Sequence, residues 1–373
     1  MNLKDIWTTL IEEKESQRAA AVALAQTGVV DESNREATII YVGARGSGKS
    51  TLRNAYMYKD RSDVPKPTTC LDYKYTRTYL KDQMSEDKSV SHFWELGGGR
   101  SLVNLLEVPL SESTLRDALV VITLDLSKPV RCLDDAVYWL SLIKKRCDGL
   151  VANLRTKNRN AADALIAAAR RRFGENHPDI GRTELIPIPV LICAHKYDTV
   201  LKTLEPESLR ILSRGLRAAA HTYGASLMYT SIAHRDTLLK AYRSRIGEHP
   251  NGREGKKPSQ PSFDHTQHIS VQGGQDNWQQ IGEPPGGAGG KNPLAAWSSA
   301  FTRSFEPVTI DPIEDGQLDA LQLEPEKSID ASLAQREEDL KRLHRELDLR
   351  RKLNAKETEG ETMPSSNIPT RVR

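Results

Sequence analysis

The chain has 373 residues, of which 38% are hydrophobic and 28% charged, with a formal net charge of +3. That length exceeds one usual domain and implies a core of roughly 200–250 residues with polar appendages. The charge is too small to point to nucleic acid, and no run reaches the roughly 18 consecutive apolar residues of a membrane span.

The chain opens Met1-Asn2-Leu3-Lys4-Asp5-Ile6-Trp7 with acids soon after, which is not the pattern of a signal peptide. Leu3, Ile6, Trp7, Leu10 and Ile11 fall on one face of a helix, so residues 1–36 are expected to form an amphipathic extension. Residues 37–42 are apolar and β-branched and predict a buried strand. A complete G-x-x-x-x-G-K-[ST] loop follows, from Gly43 through Arg45, Gly46, Ser47, Gly48 and Lys49 to Ser50. Residues 51–59, from Thr51, carry no Gly or Pro and continue as a helix. Strand, Gly-rich loop and helix N-terminus together aim backbone N–H groups at one point, the geometry of a phosphate site. Lys49 supplies a point charge for β/γ-phosphates and Ser50 a hydroxyl for Mg²⁺.

Next comes Pro65-Lys66-Pro67-Thr68-Thr69, where Thr68 or Thr69 is a candidate second Mg²⁺-side hydroxyl, and then an alternating strand over 71–79. Residues 90–95 predict another strand, running into Leu96-Gly97-Gly98-Gly99. In small GTPases this place carries D-x-x-G-Q, whose Gln orients the attacking water. Aligned on Gly98, this chain has Glu95 for the Asp and Gly99 for the Gln. Glycine has no side chain to position a water, so phosphate binding is kept and hydrolysis is impaired.

A continuous apolar run at 118–126 suits a central parallel strand. Helices are expected over 133–151 and over the basic, Ala-rich 153–172, where Arg170, Arg171 and Arg172 read as a solvated helix end. A strand over 186–194 ends in His195-Lys196-Tyr197-Asp198, the place of the guanine-reading N-K-x-D, with His195 for the Asn. There the Lys196 stem covers a base and Asp198 accepts from guanine. A helix over 206–223 and a strand over 225–231 follow, and Thr230 and Ser231 at its end are placed to wrap the base. This βα alternation predicts a doubly wound, mostly parallel sheet with its ligand at the carboxyl edge. Cys70, Cys132, Cys147 and Cys193 show no C-x-x-C pairing and read as reduced thiols.

The composition shifts near residue 247, so the P-loop domain is expected over 37–246 and 247–330 reads as a Pro/Gly-rich tail. Within it Trp297, Phe301 and Phe305 recur four apart, an aromatic stripe expected to bind a partner or to wrap back over the fold. Over 331–355, Leu333, Leu340 and Leu347 lie seven apart with Leu343 between, a short coiled-coil-like seam interrupted by Arg336 and Arg350. Residues 356–373 are expected to be disordered.

These residues resemble the dynein light intermediate chain family, most closely its cytoplasmic dynein-2 branch. The resemblance rests on the Gly43–Ser50 loop, on Lys66-Pro67-Thr68 with Leu71-Asp72-Tyr73-Lys74-Tyr75, and on His92-Phe93-Trp94-Glu95-Leu96-Gly97-Gly98-Gly99. Leu124-Asp125-Leu126-Ser127-Lys128-Pro129, Lys196-Tyr197-Asp198, Tyr223-Gly224-Ala225-Ser226-Leu227 and Gln280-Ile281-Gly282 extend it over about residues 38–310. The resemblance implies a Ras-like P-loop α/β domain in a non-catalytic motor subunit. Its partners would be the dynein-2 heavy chain, the other intermediate and light chains, intraflagellar transport trains and, indirectly, microtubules. It would work in the cytoplasm, cytoskeleton, cilium or flagellum and basal body, with no nucleic acid and no membrane span. Its cofactor would be GTP/GDP or ATP/ADP with Mg²⁺, or none. The alternative is a slow or partner-activated GTPase switch.

Overall fold

The computed structural model describes residues 36–58, 65–79, 88–249, 260–286, 292–305 and 327–360. The N-terminal amphipathic face and the chain beyond residue 360 lie outside them. Among the described residues seven strands form one sheet in the order β2-β3-β1-β4-β5-β6-β7. They are β1 (Glu36–Val42), β2 (Leu71–Tyr79), β3 (Lys88–Leu96), β4 (Ala118–Asp125), β5 (Val190–His195), β6 (Ser226–Thr230) and β7 (Ser270–Val271). β3, β1, β4, β5 and β6 run parallel, and the two edge strands β2 and β7 run antiparallel to their neighbours. The doubly wound, mostly parallel sheet is therefore present.

All eight residues of β4 are buried, as a strand covered on both faces requires. Alternation along β1 divides the core: Ile40 and Val42 face one layer, Ile39 and Tyr41 the other. The first layer is covered by α2 (Pro129–Lys157), which buries Leu133, Trp139, Leu140 and Ile143, and by α5 (Pro206–Tyr223). The second is covered by α1 (Lys49–Met57) and α6 (Lys240–Glu248), with Tyr242 bonded through its hydroxyl to Tyr41 at 2.7 Å. Between them in sequence lie α3 (Arg159–Phe173), capped by Asn158 on Ala161 N–H, and the short α4 (Tyr197–Thr203). The strand expected from residue 186 begins only at Val190. Pro187 and Pro189 have no N–H to give the ladder, although the Pro189 carbonyl still accepts from Val120.

The domain does not end at residue 246. β7 adds a strand to the sheet, α7 (Trp278–Ile281) buries Ile281, and α8 (Pro293–Ser304) packs on α5 and α2. Asp276 holds this return segment through a two-pronged bond to Arg217 of α5, both contacts 2.7 Å and both side chains about 5% exposed. His177 Nε2 donates to the Asp276 carbonyl and Trp278 N–H to Asp179.

Of the two roles expected for the aromatic stripe, the structure shows the second. Trp297, Phe301 and Phe305 are 1%, 5% and 7% exposed and belong to the main core, so they wrap back on their own fold and are not a free partner-binding face. Gly215 on α5 makes room: an added Cβ there would stand 3.3 Å from Leu133 and 3.8 Å from Phe301. In a separate unit, α9 (Lys327–Gly360) runs 34 residues, longer than the expected 331–355 and through part of the segment expected to be disordered. Leu333, Leu340, Leu343 and Leu347 are exposed along it.

Truncating a buried Trp leaves a cavity as well as lost apolar contact. Trp297→Ala is therefore expected to destabilise the folded domain by about 3–5 kcal/mol, read as a lower midpoint in urea unfolding. An unchanged midpoint would return the stripe to the role of a surface anchor.

Candidate phosphate and nucleotide site

The loop after β1 has the conformation its glycines permit. Gly43, Gly46 and Gly48 have φ of 140°, 77° and 99°, and Gly48 is the N-cap of α1. At Gly43 an added Cβ would sit 2.2 Å from the Thr123 carbonyl oxygen of β4, so no larger residue fits. Lys49 curls into the loop, donating to the Gly43 and Ala44 carbonyls at 2.9 and 2.8 Å. Burial pushes its ammonium down to about 8, against the opposing pull of Glu95 and Asp135. Ser47 Oγ is buried without a hydrogen-bond partner, Arg45 is exposed, and Thr51 is half-buried on α1. A cationic, partly desolvated side chain at a helix N-terminus and glycine-rich turn suits an anion.

The candidate metal-side residues converge tightly. Ser50 Oγ donates to Glu95 Oε1 at 2.5 Å, Thr68 Oγ1 donates to the same oxygen at 2.8 Å, and the two hydroxyls lie 3.4 Å apart. Thr69 is exposed, so of the two threonines Thr68 is the one that meets Ser50. The sequence reasoning missed Arg53: its Nη1 lies 3.1 Å from Glu95 Oε2 and 2.7 Å from Asp72 Oδ2. Arg53 stands three residues after Ser50 on α1 and so shares its face, which was the available signal. Gly97 N–H bonds the Cys70 carbonyl at 2.5 Å, joining the start of β2 to the end of β3. Gly98 (φ 71°) then caps a 3-10 segment, Gly99–Glu107.

At the candidate base-reading end, Lys196 has a left-handed backbone (φ 64°) and sends Nζ to the Gly46 carbonyl at 3.1 Å and to Asp125 Oδ2 at 2.6 Å. Asp125 was absent from the expected site. Its other oxygen accepts from Ser127 N–H and Oγ at 3.0 and 2.5 Å, so Leu124-Asp125-Leu126-Ser127 carried the signal. Asp198 accepts from Ser231 Oγ, whose oxygen in turn accepts from Ala233 N–H. His195 Nδ1 meets Thr230 Oγ1 at 3.0 Å, and its ring lies so close to the loop that a Cβ on Gly48 would come within 2.4 Å of it. His195 thus joins β5, β6 and the glycine-rich loop.

Away from this edge, His177, Asp179 and His221 bring ligand-type atoms within 4.8 Å of one another. Both His177 ring nitrogens are engaged, Nε2 by the Asp276 carbonyl and Nδ1 by Asp179 N–H, and Asp179 also takes His221 and Trp278 N–H. The cluster serves the return segment.

Burial, helped by the Lys196 ammonium, pushes His195 down from 6.5 to about 4. The unfolded chain then binds a proton below its own pKa that the folded chain refuses, so the contribution is whole above pH 6.5 and falls as pH drops toward 4. By pH 5 the loss is on the order of 2 kcal/mol. His195→Asn is expected to flatten the fall in melting temperature between about pH 7 and pH 5 relative to the parent. Parallel pH profiles for the two proteins would contradict the assignment.

A family model described as dynein light intermediate chain matches residues 12–180. The human cytoplasmic dynein 2 light intermediate chain 1 is 30% identical over 320 residues, covering 84% of this chain and 86% of its own length. The Bos taurus protein of the same name is 32% identical over 286 residues, covering 75% and 79%. The mouse cytoplasmic dynein 1 light intermediate chain 1 is 24% identical, covering 55% of this chain and 44% of its own. Among solved structures, the conserved domain of a dynein light intermediate chain superposes with a TM-score of 0.52 at 18% identity, over 78% of this chain and 99% of that one. The fold is Ras-like, and the chain belongs to the dynein light intermediate chain family.

Proposed function

We propose that the protein is the light intermediate chain of a cytoplasmic dynein-2 motor, without catalytic work of its own. In this reading it binds and stabilises the heavy-chain tail, alongside the other intermediate and light chains. It thereby serves retrograde intraflagellar transport and the building of cilia or flagella. The dynein-2 relatives support the assignment by matching most of both chains, whereas the dynein-1 relative is matched over less than half its length. The guanine-type pair Lys196 and Asp198 and the buried Lys49 support a nucleotide in a structural role.

The observation that carries the non-catalytic reading is Gly99, which stands where a switch GTPase needs a water-orienting side chain. The next long side chain, Arg100, is committed elsewhere: it pairs with Asp134, lies 2.7 Å from Asp135, and stacks over Tyr138, all on α2. A second reading, a slow or partner-activated GTPase switch, draws on the intact Lys49 and Ser50.

Affinity capture of the tagged full chain from ciliated cells, read by mass spectrometry, tests the proposal. The dynein-2 heavy chain is expected as the dominant co-purifying motor polypeptide. Recovery of the dynein-1 heavy chain in its place, or of no dynein heavy chain, would overturn it.

A further inference from the structure

α9 gathers leucines into one seam and leaves that seam in water. Leu333, Leu340 and Leu347 lie seven apart with Leu343 between them, and the four are 46–60% exposed. They stand on a helix of 34 residues, about 51 Å long. Such a heptad seam is buried by a second helix, since each Leu then leaves water. With Leu333, Leu340 and Leu347 at heptad position a, Leu343 falls at d, and the charges beside the seam fall at e and g.

Those flanking charges identify the second helix. Asp339 and Glu346 are g residues, and His344 and Arg351 are the e residues five positions after each in the sequence. In a parallel pair, each g residue meets the e residue five further along the other helix. Two copies of α9 aligned in this way set Asp339 against His344 and Glu346 against Arg351, on both sides of the seam. An imidazole donates to a carboxylate whether neutral or charged, and a guanidinium is charged throughout. Turning one copy around brings g to face g, which sets the acids of one helix against those of the other. Like charges so placed oppose pairing, so the pattern favours the parallel arrangement.

Arg336, at a d position, decides how many helices meet. In a two-stranded coil its stem can lie along the seam while its guanidinium reaches the rim, where Glu337 of the second copy stands at e. The d positions of three- and four-stranded coils are more enclosed and would strand that charge. A polar residue in the seam thus selects two strands at a cost in stability.

We propose that two copies of this chain pair along α9 as a parallel, in-register, two-stranded coiled coil. About three heptads make a weak coil, so the pair forms and separates with protein concentration.

Sedimentation equilibrium of the full chain tests this. The mass is expected to rise from one chain toward two between about 1 and 100 µM, as a micromolar dissociation constant requires. Leu347→Asp, which puts a charge in the seam, is expected to raise that constant by about tenfold or more. Glu346→Lys is expected to weaken pairing as well, and Arg351→Glu added to it restores opposite charges and should recover the dimer. For orientation, Leu340→Cys is made together with Cys70→Ser, which removes the exposed native thiol. Mild oxidation is expected to give a covalent dimer, because a parallel in-register pair sets residue 340 against itself at disulfide distance. A chain that stays monomeric up to about 100 µM would overturn the proposal and assign the seam to a helix of another protein. A dimer unmoved by Leu347→Asp, a double charge exchange that fails to recover pairing, or no covalent dimer from Leu340→Cys would each overturn it too.

Discussion

Glu95 has a side chain only 1% exposed, and a carboxylate so far from water has to find its hydrogen bonds and its counter-charge inside the fold. It finds them in Ser50 and Arg53 from α1 and in Thr68 from the segment leading into β2. One side chain at the end of β3 thus ties the phosphate loop's helix to the edge of the sheet. Arg53 extends the network to Asp72 on β2, and the Gly97 amide closes it on Cys70. Segments that a switch protein releases and recaptures are held here by internal bonds. That favours a fixed platform over a timer.

The opposite end of the carboxyl edge is braced in the same manner. Lys196 joins Asp125 to the loop carbonyl of Gly46, and His195, kept neutral by burial, wedges between Thr230 and Gly48. Further out, the Arg217–Asp276 pair pins the returning chain to α5, and the aromatic face of α8 closes the main core. A subunit that is to sit on a larger assembly gains from such stiffness, since little ordering cost is left to meet on binding.

The glycine-rich loop between β1 and α1 was legible in the sequence because its spacing and its positive-φ glycines are local requirements. The parallel strands were legible as continuous apolar runs. Arg53, Asp72 and Asp125 were not, because their roles depend on partners brought together only by the sheet order, as when Lys196 meets Asp125 across 71 positions. The stripe of Trp297, Phe301 and Phe305 shows the other limit. Fourfold spacing defines a helix face but not what covers it, and the cover here is α5, opened by Gly215. The proline-flanked start of β5 was read too early because an apolar run says nothing about which residues lack an N–H.

The central claim is a phosphate site without hydrolytic machinery, and single-turnover GTP cleavage by the purified full chain tests it most directly. The account predicts conversion slower than even the intrinsic rate of a switch GTPase, about 10⁻⁴ per second, in the free protein and in the heavy-chain complex. Cleavage in either at rates of order 1 per second, as for a stimulated GTPase, would contradict it.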